Sequence, residues 1–131
     1  MRYEKSCGAV IFKDELVLLI KSVKGHWSFP KGHMEPNETE LETAHREILE
    51  ETNLVVNLCE NKRVVINYSP YPEVTKDVVY FYATFLKGEL KRQIEEVEDI
   101  GWYSIDDAFK LITFEIERDV LNKMLKKWLY L

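Results

Sequence analysis

The chain has 131 residues, 46% of them hydrophobic and 31% charged, and a formal net charge of −5. This size predicts one compact domain over residues 1–131. The acidic balance disfavours sequence-independent nucleic-acid binding, which needs a basic surface, but it allows a phosphate-bearing ligand accompanied by metal ions.

No apolar run is long enough to span a bilayer, and no signal-peptide pattern opens the chain. The two cysteines, Cys7 and Cys59, do not have metal-ligand spacing and are interpreted as free thiols in a reducing compartment. We therefore expect a cytoplasmic protein without a membrane partner.

The first part of the chain predicts two strands and a long loop. The runs KSCGAVIF and ELVLLIKSV are rich in strand-forming residues, and the turn-like pair Lys13-Asp14 separates them. They predict a hairpin or two neighbouring strands. Residues 24–38 follow as a predicted loop, because Gly and Pro interrupt them repeatedly.

The first helix is predicted to start at Thr39. Thr39 and Glu42 have the spacing of a capping box, in which each side chain accepts a hydrogen bond from the backbone N–H of the other residue. Asn53 stands where the helix would end, in the left-handed conformation that Asn tolerates. Small and apolar residues recur at helical spacing and predict a buried stripe: Leu41, Ala44, Ile48 and Thr52.

The second half of the chain predicts further strands and then two helices. Three strands are predicted at 54–59, 62–68 and 77–86, with a Pro-containing loop at 69–76, and the segment DIGWYS predicts a last strand.

Two short helices are predicted to close the chain. Ser104 with Asp107 has the spacing of an N-terminal cap, and Thr113 is predicted to open the final helix. Strands on both sides of one helix, followed by two more helices, predict an α/β (α+β) domain with a mixed β-sheet sandwiched between helices.

Three glutamates of the first helix lie close together in the segment REILEETN: Glu47, Glu50 and Glu51. At this spacing they share a helix face, where like charges cost about a few tenths of a kcal/mol per pair. Such faces are commonly only solvated. Here the carboxylates flank the buried stripe, Arg46 can fix one of them, and a Gly- and Pro-rich loop leads into the helix. A hard divalent cation needs such a set of carboxylates and would make it a site for polyphosphate.

The segment 32–54 closely resembles the Nudix box, in which fixed Gly, Glu, Arg-Glu and Glu-Glu positions recur over a constant length. The matching residues are Gly32, Glu38, Arg46, Glu47, Ile48, Glu50, Glu51 and Leu54. The one departure is Asn53, where the family has Gly, and Asn is the next best residue at a positive φ. The strand order also suits the Nudix fold, so the resemblance covers most of the chain.

The resemblance implies a role for each residue of the box. Glu50 and Glu51 would be metal ligands, and Glu47 would be a ligand or the general base, oriented by Arg46. The backbone carbonyl near Lys31 would complete the metal site. The implied cofactor is Mg²⁺, two or more ions, which Mn²⁺ can replace.

Two further parts of the pattern concern residues around these ligands. Gly32 and Glu38 would support the ligands without touching the metal. Relatives recruit another acid from a later loop, and Glu96, six residues before Trp102, has the matching position. Glu96 is therefore predicted as a catalytic residue and metal ligand, whereas a solvated loop position is the better interpretation for its acidic neighbours.

Residues outside the box resemble one subgroup, the diadenosine tetraphosphate hydrolases. The run GHWSFPKGHMEPNE, followed by LETA at 41–44, is typical of that subgroup, and so are CGAVIF and the pair NY at 67–68. The resemblance implies a small-molecule nucleotide substrate, diadenosine tetraphosphate, that is hydrolysed asymmetrically to ATP and AMP.

Aromatic faces stack on nucleobases, and the candidates are Tyr68, Tyr71, Tyr80 and Tyr82. The subgroup has one such Tyr beyond the box, which spacing assigns to Tyr71 and sequence context to Tyr68. Both assignments stay open. Tyr80 and Tyr82 share one face of an alternating strand, so half of the candidates are expected in the core.

The candidates for contacts to phosphate oxygens are Lys31, His33 and Lys76, with a plain loop position as the alternative for His33. Other functions also stay open. An RNA 5′ pyrophosphohydrolase is disfavoured because the sequence has no basic stripe, and a pyrophosphohydrolase for oxidised nucleoside triphosphates is a further enzymatic option. A nucleotide-binding Nudix domain without activity is disfavoured by the intact glutamate cluster.

Overall fold

The computed structural model describes residues 1–129. Its strands are β1 Arg2–Lys13, β2 Leu16–Ser22, β3 Trp27–Ser28, β4 Lys31–His33, β5 Val55–Tyr68, β6 Val74–Lys87 and β7 Val97–Ser104. Its helices are α1 Glu40–Thr52, α2 Ile105–Leu111 and α3 Glu115–Met124, the last continuing into a π-helical turn at Leu125–Leu129. No helix within residues 1–129 combines the length and the apolar character that crossing a bilayer requires.

The strands form one mixed sheet with β1 at its centre. The order is β3-β2-β1-β6-β5, with β4 paired to the first half of β1 and β7 paired to β2. β1 and β6 run parallel, and the other pairs run antiparallel. The predicted mixed sheet between helices is confirmed.

Helices cover both faces of this sheet, and the alternation along β1 shows why. Cys7, Ala9 and Ile11 pack toward α1, whereas Val10 and Phe12 belong to the core that faces α3. A strand with both faces buried reads as a continuous apolar run, as CGAVIF does. α1 contributes Ala44 and Ile48 to the first core, as the predicted stripe requires.

Two strand predictions need correction. The predicted loop 24–38 contains the short strands β3 and β4, because Lys31 and Gly32 pair with β1. The two strands predicted at 54–59 and 62–68 are one strand, β5, with an irregularity between Cys59 and Arg63. Very short strands and bulges depend on the partner strand, so local sequence does not reveal them.

Most predicted helix ends are confirmed. Thr39 and Glu42 form the capping box, Asn53 ends α1 in the left-handed conformation with φ 66°, and Ser104 caps α2. The prediction for Thr113 is wrong. Its hydroxyl accepts the backbone N–H of Trp27 at 2.8 Å, so Thr113 holds β3, and α3 begins after Phe114 without a side-chain cap.

Candidate active site

The C-terminal half of α1 holds the three predicted carboxylates in different environments. Glu51 is only 5% exposed, whereas the side chain of Glu50 is 46% exposed and that of Glu47 is mostly buried. The difference follows from the helix, because Glu51 and Glu47 lie nearer the stripe that packs on the sheet. The set thus extends from the protein interior to the surface.

Glu51 is held by the strand next to α1. Its Oε1 accepts the backbone N–H of Lys31 at 2.9 Å. Burial raises the pKa of Glu51 to about 8, and the charge of Glu47 adds to this effect. Burial also raises the pKa of Glu47, against the opposing effect of Arg46. In both cases burial is the largest cause, and neighbouring carboxylates add to it.

Arg46 fixes the carboxylates on one side. Its guanidinium binds Glu38 through Nε at 2.7 Å and Nη2 at 3.0 Å, and its Nη1 donates to Glu47 at 2.7 Å. Nη1 also lies 3.4 Å from Glu50, and Nη2 donates to the carbonyl of His33 at 3.0 Å. The guanidinium of Arg46 thus connects the loop before α1 to two glutamates of the helix itself.

Glu38 and Gly32 are placed to support this arrangement. Arg46 is the main reason why the pKa of Glu38 falls to about 2. Glu38 also accepts hydrogen bonds from the Glu35 N–H and the Thr43 hydroxyl, both at 2.9 Å. At Gly32, a Cβ atom would lie 2.0 Å from the carboxyl group of Glu47. Only glycine lets β4 and Glu47 come this close.

Glu96 lies in an exposed turn that is tied to the end of α1. The backbone N–H groups of Lys91 and Gln93 donate to the carbonyls of Thr52 and Glu51 at 3.1 and 3.3 Å. The charge of Glu96 contributes to the raised pKa values of Glu47 and Glu51, so it lies near both.

The donor set fits a hard divalent cation. In residues 1–129 no three acidic, His or Cys side chains already converge as ligands. The nearby groups are nevertheless all carboxylates, the type that Mg²⁺ prefers together with water. Two of them have pKa values raised by burial and mutual repulsion, which a cation would relieve.

A second group of side chains lies on the face of the sheet opposite α1. The register pairs Lys31 with Gly8 and His33 with Ser6, on the face that also carries Val10. On the same face, Lys76 lies opposite Tyr68 across β5 and β6.

The predicted phosphate contacts thus share one surface. Lys76 is largely buried, and its pKa is lowered by burial and then by Lys31. His33 is exposed, with its Nε2 3.8 Å from a carboxylate oxygen of Glu4. Lys31 connects this surface to the acidic cluster, because its backbone binds Glu51.

Two tyrosine predictions are corrected by burial. Tyr80 is 0% exposed, its ring meets Phe29 edge-on, and its hydroxyl donates to Glu117 at 3.0 Å. Tyr82 is buried between Phe12 and Trp128. Neither ring has a free face for a base, because both belong to the core beneath α3. The notion that they share one face of β6, opposite Phe81, is confirmed.

The other two tyrosines remain accessible. Tyr68 is half-buried at the end of β5, and Tyr71 is 58% exposed in the following loop. Tyr68 is adjacent to Lys76 in the sheet, whereas Tyr71 has no such neighbour in the strand register. Geometry therefore favours Tyr68 beside the candidate phosphate contacts.

The sequence reasoning missed Ser6 and Glu117. Ser6 Oγ is the one enclosed side-chain polar atom of residues 1–129 without a hydrogen-bond partner. Glu117 is a buried carboxylate on the face of α3 that carries Val120 and Leu121. A carboxylate at an apolar helix position was a signal that could have identified Glu117.

Comparison with known proteins defines the class. The family model described as "NUDIX domain" matches residues 2–124, so the chain belongs to the Nudix hydrolase family and is an enzyme of that family. Nudix hydrolases generally use divalent metal ions and act on small nucleotide substrates.

Individual members of the Nudix family are similar to this chain over most of their length. The chain is 32% and 31% identical to the asymmetrical bis(5′-nucleosyl)-tetraphosphatases of Rattus norvegicus and Sus scrofa, with 91% of this chain and 91% of each relative covered. Its fold matches the crystal structure of a binary complex of an Ap4A hydrolase from C. elegans with a TM-score of 0.87 at 25% identity, covering 98% of this chain and 99% of that chain. The chain is thus similar in sequence to two tetraphosphatases and in fold to an Ap4A hydrolase.

Proposed function

We propose that this enzyme hydrolyses diadenosine tetraphosphate asymmetrically to ATP and AMP, with Mg²⁺ as cofactor. The observation that carries the proposal is the position of Lys31. Its backbone binds the buried Glu51, while its side chain shares a sheet face with Lys76 and Tyr68. An acidic site for cations thus adjoins a cationic and aromatic surface, as a nucleoside polyphosphate requires. The similarity to two tetraphosphatases supports the same substrate.

The acidic residues near the C-terminal end of α1 are the proposed ligands of the cations. Glu47, Glu50, Glu51 and Glu96 would hold the cations, together with the backbone near Lys31. Bound Mg²⁺, or Mn²⁺ in its place, would neutralise phosphate oxygens and lower the pKa of the attacking water. Water adds to phosphorus as the bridging oxygen leaves with the departing nucleotide.

Glu47 is the proposed acceptor of the proton that this water loses. Arg46 keeps the Glu47 carboxylate in one orientation through the 2.7 Å hydrogen bond, which fixes the position from which it would take the proton. Arg46 therefore acts on the reaction through the position of Glu47.

Lys31, Lys76 and His33 are the proposed contacts for phosphate oxygens remote from the metals. Tyr68 is the proposed stacking surface for one base, with the exposed Tyr71 as the other candidate. The free thiols Cys7 and Cys59 support the proposal that the enzyme acts in the cytoplasm, where thiols stay reduced.

A substrate panel with product identification tests the proposal. The enzyme is incubated with Mg²⁺ and diadenosine tetraphosphate, triphosphorylated RNA or 8-oxo-dGTP, and parallel samples contain EDTA. We expect equimolar ATP and AMP from the dinucleotide and none with EDTA. Efficient cleavage of the RNA or of 8-oxo-dGTP, with the dinucleotide left intact, would replace the proposal with one of the other hydrolase activities.

A further inference from the structure

Glu117 is a carboxylate fixed from one side. It lies in the first turn of α3, is 7% exposed, and belongs to the face that covers the sheet. Its Oε2 accepts hydrogen bonds from the Ser28 hydroxyl at 2.6 Å and from the Tyr80 hydroxyl at 3.0 Å. Two donors from two different strands therefore determine where this carboxylate points.

The second oxygen of Glu117 has no partner within residues 1–129. No hydrogen bond reaches Oε1, and no Lys, Arg or His nitrogen lies within 4.0 Å of the carboxylate in the described part of the chain. Oε1 is not enclosed either, because Ser6 Oγ is the one enclosed unpartnered side-chain atom of that part. Oε1 is thus a fixed acceptor that still reaches solvent.

The surroundings of Oε1 are those of the proposed nucleoside site. Tyr80, Lys76 and Tyr68 lie on the same sheet face, the first bonded to Glu117. Tyr68 packs against the core cluster that contains Tyr80, and its pKa is raised first by burial and then by the charge of Glu117. A free acceptor therefore lies beside the proposed stacking surface, where a phosphate would be repelled and an N–H or O–H group attracted.

We propose that Glu117 is a specificity-determining residue, whose Oε1 accepts a hydrogen bond from a donor on the nucleoside of the substrate. The donor is the exocyclic amino group of adenine or a ribose hydroxyl. The inference rests on the proposed function only in placing a nucleoside against Tyr68. It adds that this site disfavours a nucleoside without the donor, since such a nucleoside would cover Oε1 and remove its water without replacing the hydrogen bond.

Replacing Glu117 by Gln puts a hydrogen-bond donor at the position of the acceptor Oε1. The Ser28 and Tyr80 hydroxyls both donate to Oε2, so the amide oxygen of Gln takes that position. The amide NH₂ group then occupies the place of Oε1 and offers a donor where the wild type offers an acceptor. A nucleoside that lacks the donor should no longer be disfavoured.

Calorimetric titration with nucleoside monophosphates tests this directly, because they contain no anhydride bond to cleave. The ligands are AMP, purine riboside 5′-monophosphate, which lacks the amino group, and 2′,3′-dideoxy-AMP. We expect the wild type to bind one of the two analogues about tenfold more weakly than AMP. A penalty with the purine riboside compound assigns the donor to the base, and a penalty with the dideoxy compound assigns it to the ribose.

Two variants test whether Glu117 causes the weaker binding of the analogue. Glu117→Gln should remove or reverse the penalty, while Glu115→Gln, which removes the same charge from an exposed site on the same turn, should keep it. If Glu117→Gln does not fold, Ser28→Ala is measured in its place. This variant removes one hydrogen bond to Oε2, so the carboxylate is held less firmly and the loss of affinity for the analogue should be smaller.

Two results would overturn the inference: equal affinities for all three ligands in the wild type, or a penalty that stays unchanged in the folded variants. These results are independent of the substrate panel. A protein that cleaves diadenosine tetraphosphate but shows an unchanged penalty refutes only the role of Glu117. A protein with a Glu117-dependent penalty that leaves the dinucleotide intact refutes only the proposed reaction.

Discussion

The two ends of α1 carry the same kind of side chain in opposite electrostatic environments. At the N-terminal end, Glu40 accepts two hydrogen bonds of 2.7 Å from Arg63 and lies 2.5 Å from Lys5, and its pKa falls to about 2. At the C-terminal end, Glu51 has only a backbone N–H, and its pKa rises to about 8.

This difference separates structural from functional carboxylates. The charge of Glu40 is fully compensated within the protein, so it stabilises the fold. Glu51 has no ion-pair partner within residues 1–129, and burial keeps the pKa of Glu47 raised although Arg46 binds its carboxylate. Sites with such raised pKa values are where catalytic and ligand-binding groups concentrate. We infer that the C-terminal end of α1 is completed by cations, whereas the N-terminal end needs none.

The largest expected effect is on Glu50. Glu50→Gln removes a proposed metal ligand at an exposed site, so kcat for diadenosine tetraphosphate should fall on the order of 10³-fold. The melting temperature should stay unchanged, because the side chain is 46% exposed. Steady-state kinetics and a thermal melt measure both, and an unaltered kcat would place the chemistry elsewhere.

Arg46→Lys should have the next largest effect. Lysine keeps the charge but cannot bind Glu38 and Glu47 with one planar group, so Glu47 loses its fixed orientation. We expect kcat to fall about 10²-fold with little change in KM. Lys110→Arg, an exchange between the same residue types on α2, is the matched control. A larger change in KM than in kcat would contradict the orienting role.

Glu40→Gln should lower stability rather than activity. Removing the compensated charge should cost about 1–2 kcal/mol of unfolding free energy at pH 7. Because the folded-state pKa lies below the ordinary value of 4.5, this stabilisation is present above pH 4.5 and is lost as the pH falls through about 2.

Urea unfolding at several pH values measures this difference. The curves for the variant and the wild type should converge at the acidic end of this range. Glu60→Gln, at an exposed position of β5, should follow the wild type throughout. A difference that persists undiminished at pH 2 would show that the charge of Glu40 is not its source.

Glu51→Gln should change stability less than Glu40→Gln does, and with the opposite sign. In metal-free buffer at pH 8 the variant should unfold with about 1 kcal/mol more free energy than the wild type, because it removes an uncompensated charge and keeps an acceptor for the Lys31 N–H. Its kcat should nevertheless fall as far as that of Glu50→Gln. Greater stability of the wild type in EDTA would contradict the inferred imbalance of charge.

The sequence predicted the acidic end of α1 well, for physical reasons. The spacing of Glu47, Glu50 and Glu51 is a property of one helix, and the capping box and Asn53 fix both of its ends locally. The Nudix pattern includes Gly32 because Glu47 leaves no room for a Cβ there. Helix spacing and helix ends depend on residues within one short segment, so the sequence of that segment is enough to predict them.

The surface under α3 could not be predicted in the same way. The alternation of β6 predicted that Tyr80 and Tyr82 share a face, but it did not show which face α3 and Phe12 bury. Thr113 looked like a helix cap until β3 provided it with a different partner. These outcomes depend on contacts between distant segments, which local propensity does not contain.

The most direct test of the central claim is a crystal structure of the enzyme with Mg²⁺ and a non-hydrolysable analogue of diadenosine tetraphosphate. We expect cations coordinated by Glu47, Glu50 and Glu51, with bridging phosphate oxygens on the side of Lys31. Density for the polyphosphate away from α1, with no cation beside these glutamates, would contradict it.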